Sequence, residues 1–120
     1  MYGGGLDAYS MLQAVLEEGL PAERLILVIP EGIQPAFPNQ EVAELVSSSL
    51  EKLAVKVMSG LELCGMEVDG EGTQLSALQL RDSESIVTLP CAALVYLHHK
   101  HVDQHLFKGL IMGKVFFRCC

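Results

Sequence analysis

Five apolar residues in a row, LILVI at positions 25–29, run up to Pro30 with no polar residue among them. A strand that is apolar on both faces belongs inside a parallel sheet, where a layer must cover each side. The rest of the chain has to supply those layers. Upstream, Ala8, Met11, Leu12, Val15 and Leu16 recur at helical spacing and predict a helix over residues 6–18. Gly19 is placed for the left-handed position after that helix, and Pro21 bars its continuation. Downstream, residues 31–38 read as a loop, and Asn39 is a good N-cap for a helix carrying the stripe Val42, Leu45, Val46, Leu50 and Leu53. A short run, Val55-Lys56-Val57, follows. Helix, strand, helix, strand in that order implies a parallel sheet with right-handed crossovers.

After Gly60 the period changes. Leu61, Leu63, Met66 and Val68 alternate with polar or small residues, Asp69-Gly70-Glu71-Gly72 reads as a turn, and Leu75 to Leu80 alternates again before a third run at residues 85–89. This predicts a three-stranded antiparallel meander over residues 61–89. Residues 92–97 return to a continuous apolar run and fit a last strand of the parallel sheet. The expected core therefore joins residues 25–29, 55–57 and 94–97 in one sheet, with Leu45 and Leu50 packed on it. Cys64 and Cys91 lie among apolar residues and are expected as buried thiols. The terminal Cys119-Cys120 pair is not a C-a-a-X box.

A chain of 120 residues has room for one domain. Its net charge of −7 would repel a phosphate backbone or an anionic membrane surface, so neither nucleic acid nor membrane is an expected partner. No apolar run reaches the length of a membrane span, and no secretory or transit pattern is readable, which gives a cytosolic address as the expectation.

Gly3-Gly4-Gly5-Leu6-Asp7-Ala8 fits G-x-G-x-x-A, the turn that lets a dinucleotide pyrophosphate sit on a helix N-terminus. Glu31, after the next apolar run, stands where an acidic residue would take a ribose hydroxyl, although 28 positions separate it from Gly3. The other reading is a glycine-rich segment with Glu31 merely solvated, and the motif leaves both open. Two features oppose a working site. Only Met1 and Tyr2 precede the turn, where a full strand is expected, and Asp7 would repel a pyrophosphate.

The succession GGGLDAYSMLQAVLEEG, RLILVIPEG, FPNQEVAELVSSSLEKLAVKV, VDGEGTQLSALQLRD and LPCAALVYL resembles the nucleotide domain of the pyridine nucleotide-disulfide oxidoreductases. Within that family it is most similar to degenerate domains of large proteins of the motile axoneme. The resemblance implies an α/β fold, a Rossmann-like (FAD/NAD(P)-binding-like) partial parallel sheet with two helices and an inserted antiparallel β-meander. It covers residues 1–110, without the first strand, and leaves 111–120 as a divergent tail. It carries Gly3, Gly5 and Ala8 onto the phosphate-binding turn and Glu31 near the ribose position, as a vestigial NAD(P) or FAD site. Ser10 stands where working reductases often carry a Glu beside the nicotinamide, and no close cysteine pair is present. The implied role is a non-catalytic structural or assembly component of the cilium or flagellum axoneme, partnered by radial spoke and other axonemal proteins. The alternative is a nicotinamide-dinucleotide-binding oxidoreductase domain.

His98, His99, His101 and His105 form the densest group of metal-capable side chains, yet a zinc site would still need a further ligand. Ser10 and Ser47 to Ser49 lack a G-x-S-x-G elbow, and the paired glutamates fit solvated helix faces. No catalytic residue and no metal ligand is nominated.

Overall fold

The computed structural model describes residues 1–97. The chain is mixed α/β, in the order α1 (Leu6–Glu17), β1 (Ile26–Ile29), α2 (Gln40–Lys52), β2 (Lys56–Ser59), β3 (Glu62–Val68), β4 (Leu75–Arg81) and β5 (Ile86–Pro90). β1 pairs with β2 in parallel, Ile26 opposite Lys56 through Ile29 opposite Ser59. β3, β4 and β5 form a separate antiparallel sheet in sequence order, the meander that the alternation predicts.

Two residues extend the parallel sheet. Tyr2 bridges Val28 on one side and Tyr96 on the other, both in parallel. The main chain makes a short ladder there. Met1 N donates to the Ile26 carbonyl at 2.6 Å, Val28 N to the Met1 carbonyl at 2.8 Å, and Gly3 N to the Val28 carbonyl at 3.0 Å. On the far side Tyr2 N donates to the Val95 carbonyl at 2.9 Å and Leu97 N to the Tyr2 carbonyl at 2.8 Å. Residues 92–97 form no regular strand, contrary to expectation; Tyr96 joins the sheet by an isolated bridge to Tyr2, and the order across it is β2, β1, Tyr2, Tyr96.

Because side chains alternate across a strand, the apolar run of β1 feeds two cores. Leu25 and Leu27 face the helices and pack with Ala8, Leu12, Leu50 and Val55. Val28 faces the other way, packing with Tyr2, Leu80 and Leu89 of the meander, and Ile26 and Met58 lie against that cluster. The sheet is the middle of three layers. The Tyr2 hydroxyl accepts from Leu63 N at 3.1 Å, which ties the meander to the sheet by a hydrogen bond as well as by packing.

The two helices end alike. After α1, Gly19 N donates to the Leu16 carbonyl and Leu20 N to the Val15 carbonyl; after α2, Ala54 N donates to the Glu51 carbonyl and Val55 N to the Leu50 carbonyl. Each is a Schellman ending, which needs a left-handed residue. Gly19 supplies it at φ +91, whereas at the second ending Ala54 is forced to φ 60. At the start of α2, Asn39 Oδ1 accepts from Val42 N at 3.2 Å, the cap expected there.

Two further expectations are corrected. Leu50 is buried, but Leu45 is 68% exposed, because Ala43 and Leu50 face the sheet and Leu45 lies on another side of α2. Cys64 is exposed, not buried, because it follows inward-facing Leu63 and so falls on the outer face of β3; its Sγ lies 3.3 Å from the Gln79 carbonyl. Cys91 is half-buried.

Leu27 has no exposed surface. Replacing it by Asp places an unpaired carboxylate between the sheet and helices and is expected to cost several kcal/mol, on the order of a whole domain's stability margin; urea unfolding followed by circular dichroism measures the loss. Ala54→Gly should instead stabilise by about 1 kcal/mol, since it relieves the left-handed strain at an otherwise satisfied cap. A lower urea midpoint for that variant would contradict the cap.

Candidate functional site

The ladder through Tyr2 aims the glycine turn. Gly3 leaves the sheet at φ 145, Gly4 passes over β1, and Gly5 begins α1 as an N-cap with no side-chain hydrogen bond. A Cβ on Gly4 would stand 3.0 Å from Ile29 Cγ2 and 3.5 Å from the Gly32 carbonyl oxygen, so a side chain there would press on Ile29, which would have to give by a few tenths of an ångström. Ala8, one turn into α1, is fully buried against Leu27 and its neighbours, where a small residue lets helix and sheet approach.

Opposite the turn, the loop after β1 folds back. Gly32 N donates to the Ile29 carbonyl at 3.2 Å and Phe37 N to the Ile33 carbonyl at 3.1 Å. Between loop and turn lies a cleft of about 250 Å³ lined by Gly4, Gly5, Leu6, Glu31, Gly32 and Pro35 among others. Of the four residues expected at a nucleotide site, Gly5 and Glu31 therefore meet at one cleft. Gly3 and Ala8 do not line it; they shape the turn and seat the helix. Gly4, Gly32, Pro35 and Ala36 were not nominated by spacing, because contributions from an irregular loop carry no period.

The carboxylate of Asp7 decides what the turn can hold. Its Oδ1 accepts from Ala8 N at 3.0 Å, and the same N–H is bonded to the Gly5 carbonyl at 3.0 Å. Asp7 Oδ1 also lies 2.7 Å from where a Cβ on Gly5 would be, at the mouth of the turn. A negative charge thus stands in the first turn of α1, at the helix end that an incoming phosphate would seek. The cleft volume also falls below the roughly 300–1,000 Å³ of sites that enclose whole small molecules. Ser10 is exposed on α1.

A larger concavity lies elsewhere. A groove of about 630 Å³ separates α1 from α2 and is lined mainly by apolar side chains, with Gln13, Glu17 and Ser49 the polar exceptions. At one end Tyr9 meets Phe37 edge to face, with ring centroids 4.9 Å apart. Burial pushes the Tyr9 phenol up, and its hydroxyl has no hydrogen-bond partner among the described residues.

The histidines at 98, 99, 101 and 105 and the Cys119-Cys120 pair lie outside the described residues. Among the described residues no group of three or more His, Cys, Asp or Glu side chains gathers as a metal site would require, and no helix is long and apolar enough to cross a membrane. No protein-family model matches the chain, and no curated protein matches it.

Asp7→Asn removes the charge while keeping a side chain able to accept from Ala8 N. Any binding of NADH or pyrophosphate should tighten by at most about 1 kcal/mol, roughly fivefold in Kd. Isothermal titration of both proteins compares them; weaker binding by the variant would show that the carboxylate does not compete with the anion.

Proposed function

We propose that this chain is a non-catalytic scaffold domain that acts through protein contacts in the axoneme of motile cilia or flagella, in association with radial spokes, and that it derives from a nucleotide-binding ancestor. The observation that carries the reading is the Asp7 carboxylate seated on the Ala8 amide, beside a cleft of about 250 Å³. The assignment to the axoneme comes from the sequence resemblance, in particular to cilia- and flagella-associated protein 61, whose nucleotide domain is degenerate. Apolar side chains left in water on the meander, among them Met66, Val68 and Ile86, fit a domain that presents surface to other proteins. Detergent-extracted axonemes from cells expressing the tagged chain should retain it, and it should leave with the radial spoke fraction. A chain found only in the detergent-soluble cytoplasm would count against the reading.

The runner-up is a nicotinamide-dinucleotide-binding oxidoreductase domain. It draws support from the order β2, β1, Tyr2, Tyr96, which matches the 3-2-1-4 half of a Rossmann-like FAD/NAD(P)-binding sheet, and from the glycine turn at its centre. Hydride transfer also needs an acceptor held against the nicotinamide, such as a flavin or a redox disulfide. Cys64 and Cys91 are both free, and Ser10 stands in place of the acidic residue. A site binding NADH with a Kd of about 10 μM would gain about 2.7 kcal/mol of stability at 1 mM ligand, an upward shift on the order of 10 °C for a domain of this size. The scaffold reading expects no such shift and no NADH oxidation with added flavin or dye. Oxidation abolished by Gly5→Val would restore the enzyme.

A further inference from the structure

Besides Tyr9, the polar side chains that line the groove between α1 and α2 are already hydrogen-bonded within the chain. Gln13 Nε2 donates to Glu17 Oε1 at 2.9 Å, and Ser49 Oγ donates to the Leu45 carbonyl at 2.8 Å. The Tyr9 hydroxyl is the exception, enclosed and without a partner among the described residues. An enclosed hydroxyl in that state gives up its bonds to water and gains none in return, so folding alone gives no reason for Tyr rather than Phe at this position. A ligand that supplies the missing partner does.

The groove also has the size and the chemistry of a ligand site. Its volume of about 630 Å³ lies within the roughly 300–1,000 Å³ of pockets that enclose small molecules, and its walls are mainly apolar. Leu45, 68% exposed, and Leu53, 51% exposed, leave apolar surface in water that a ligand would cover. The same walls restrict the ligand's charge. Among the described residues no lysine or arginine lines the groove and Glu17 does, so a carboxylate or phosphate would meet repulsion and no counter-ion. Burial pushes the Tyr9 phenol up, which keeps it a protonated donor at neutral pH, so the ligand atom that meets it must accept.

We propose that the groove between α1 and α2 is a binding site for an uncharged lipophilic molecule that carries a carbonyl oxygen, its apolar body against Leu16, Leu45 and Leu53 and its oxygen accepting from the Tyr9 hydroxyl. Phe37, whose ring meets Tyr9 edge to face, stands in the loop between β1 and α2, so rotation of its side chain admits the oxygen without breaking a helix or strand. The site goes beyond the scaffold reading and does not rest on it, since it is the same whether or not the protein resides in an axoneme.

Nile red, a neutral dye with a ring carbonyl whose emission rises in apolar surroundings, serves as the probe on the full chain. It should bind saturably with a Kd of about 10 μM or tighter. Tyr9→Phe removes only the donor and should weaken the dye about fivefold, the worth of one neutral hydrogen bond. The same variant should raise the urea midpoint of the ligand-free chain, because the unpaired hydroxyl is gone; a merely structural tyrosine would not lose affinity while gaining stability. Leu45→Ser should weaken the dye about tenfold through lost apolar contact. Met66→Ser, at a side chain 63% exposed on the meander, should leave binding unchanged. Absence of saturable binding overturns the proposal, as does a Tyr9→Phe variant that binds as tightly as the unmodified chain. Binding lowered by Met66→Ser and not by Leu45→Ser places the dye on the meander and overturns it too. Dye affinity that falls as protein concentration rises assigns the groove to a second copy and overturns it equally.

Discussion

The main-chain pairing of Tyr2 on both of its edges is the constraint from which the remaining architecture follows. One residue, 4% exposed, bonds through its backbone to β1 and to the segment around Tyr96, stacks its ring on Tyr96 at 5.4 Å, and receives the Leu63 amide on its hydroxyl. Without that pairing, β1 and β2 would be a two-stranded ribbon, and residues 92–97 would have nothing to join. A two-stranded sheet is marginal in water; a third and fourth position make it a surface on which helices and meander can both pack. The same pairing fixes the direction in which Gly3 leaves the sheet, and hence where α1 starts.

Seating α1 this way separates two tasks that the glycine turn would combine in a nucleotide enzyme. The structural task is retained: Gly4 passes close to Ile29, and Ala8 lets helix and sheet approach. At the same helix end stands the Asp7 carboxylate, whose Oδ1 accepts from Ala8 N. A carboxylate in the first turn of a helix stabilises that helix by roughly 0.3–1 kcal/mol, and it does so by holding the place where an anion would bind. Stability and ligand affinity are opposed at this position.

Much of this was legible in the sequence, and the failures have identifiable causes. The apolar run of β1, the stripes of both helices, the Asn39 cap and the meander were readable because each is a period or a turn signal several residues long. Tyr2 was not, since two residues before a glycine turn are too short for any period. Leu45 was misplaced because α2 carries more apolar residues than one sheet face can cover, and spacing alone does not say which are left over. Cys64 was misplaced because apolar neighbours suggested burial, whereas its phase next to inward-facing Leu63 puts it on the outer face. At the cleft, Gly5 was legible from the glycine motif and Glu31 from its place after the apolar run of β1, whereas Gly32 and Pro35 enter through a loop whose path depends on tertiary contacts.

Ala54 has a consequence for the order in which the molecule opens. It closes α2 in a conformation costly for its side chain and leads directly into β2, which among the described residues pairs along one edge. Strain and a free edge thus fall on one continuous piece, α2 with β2, while α1 ends on an unstrained Gly19. Opening of that piece would bare the edge of β1, whose Leu27, Val28 and Ile29 are all buried. A second molecule in the same open state would present the same edge, so the route to strand exchange between copies starts at the end of α2.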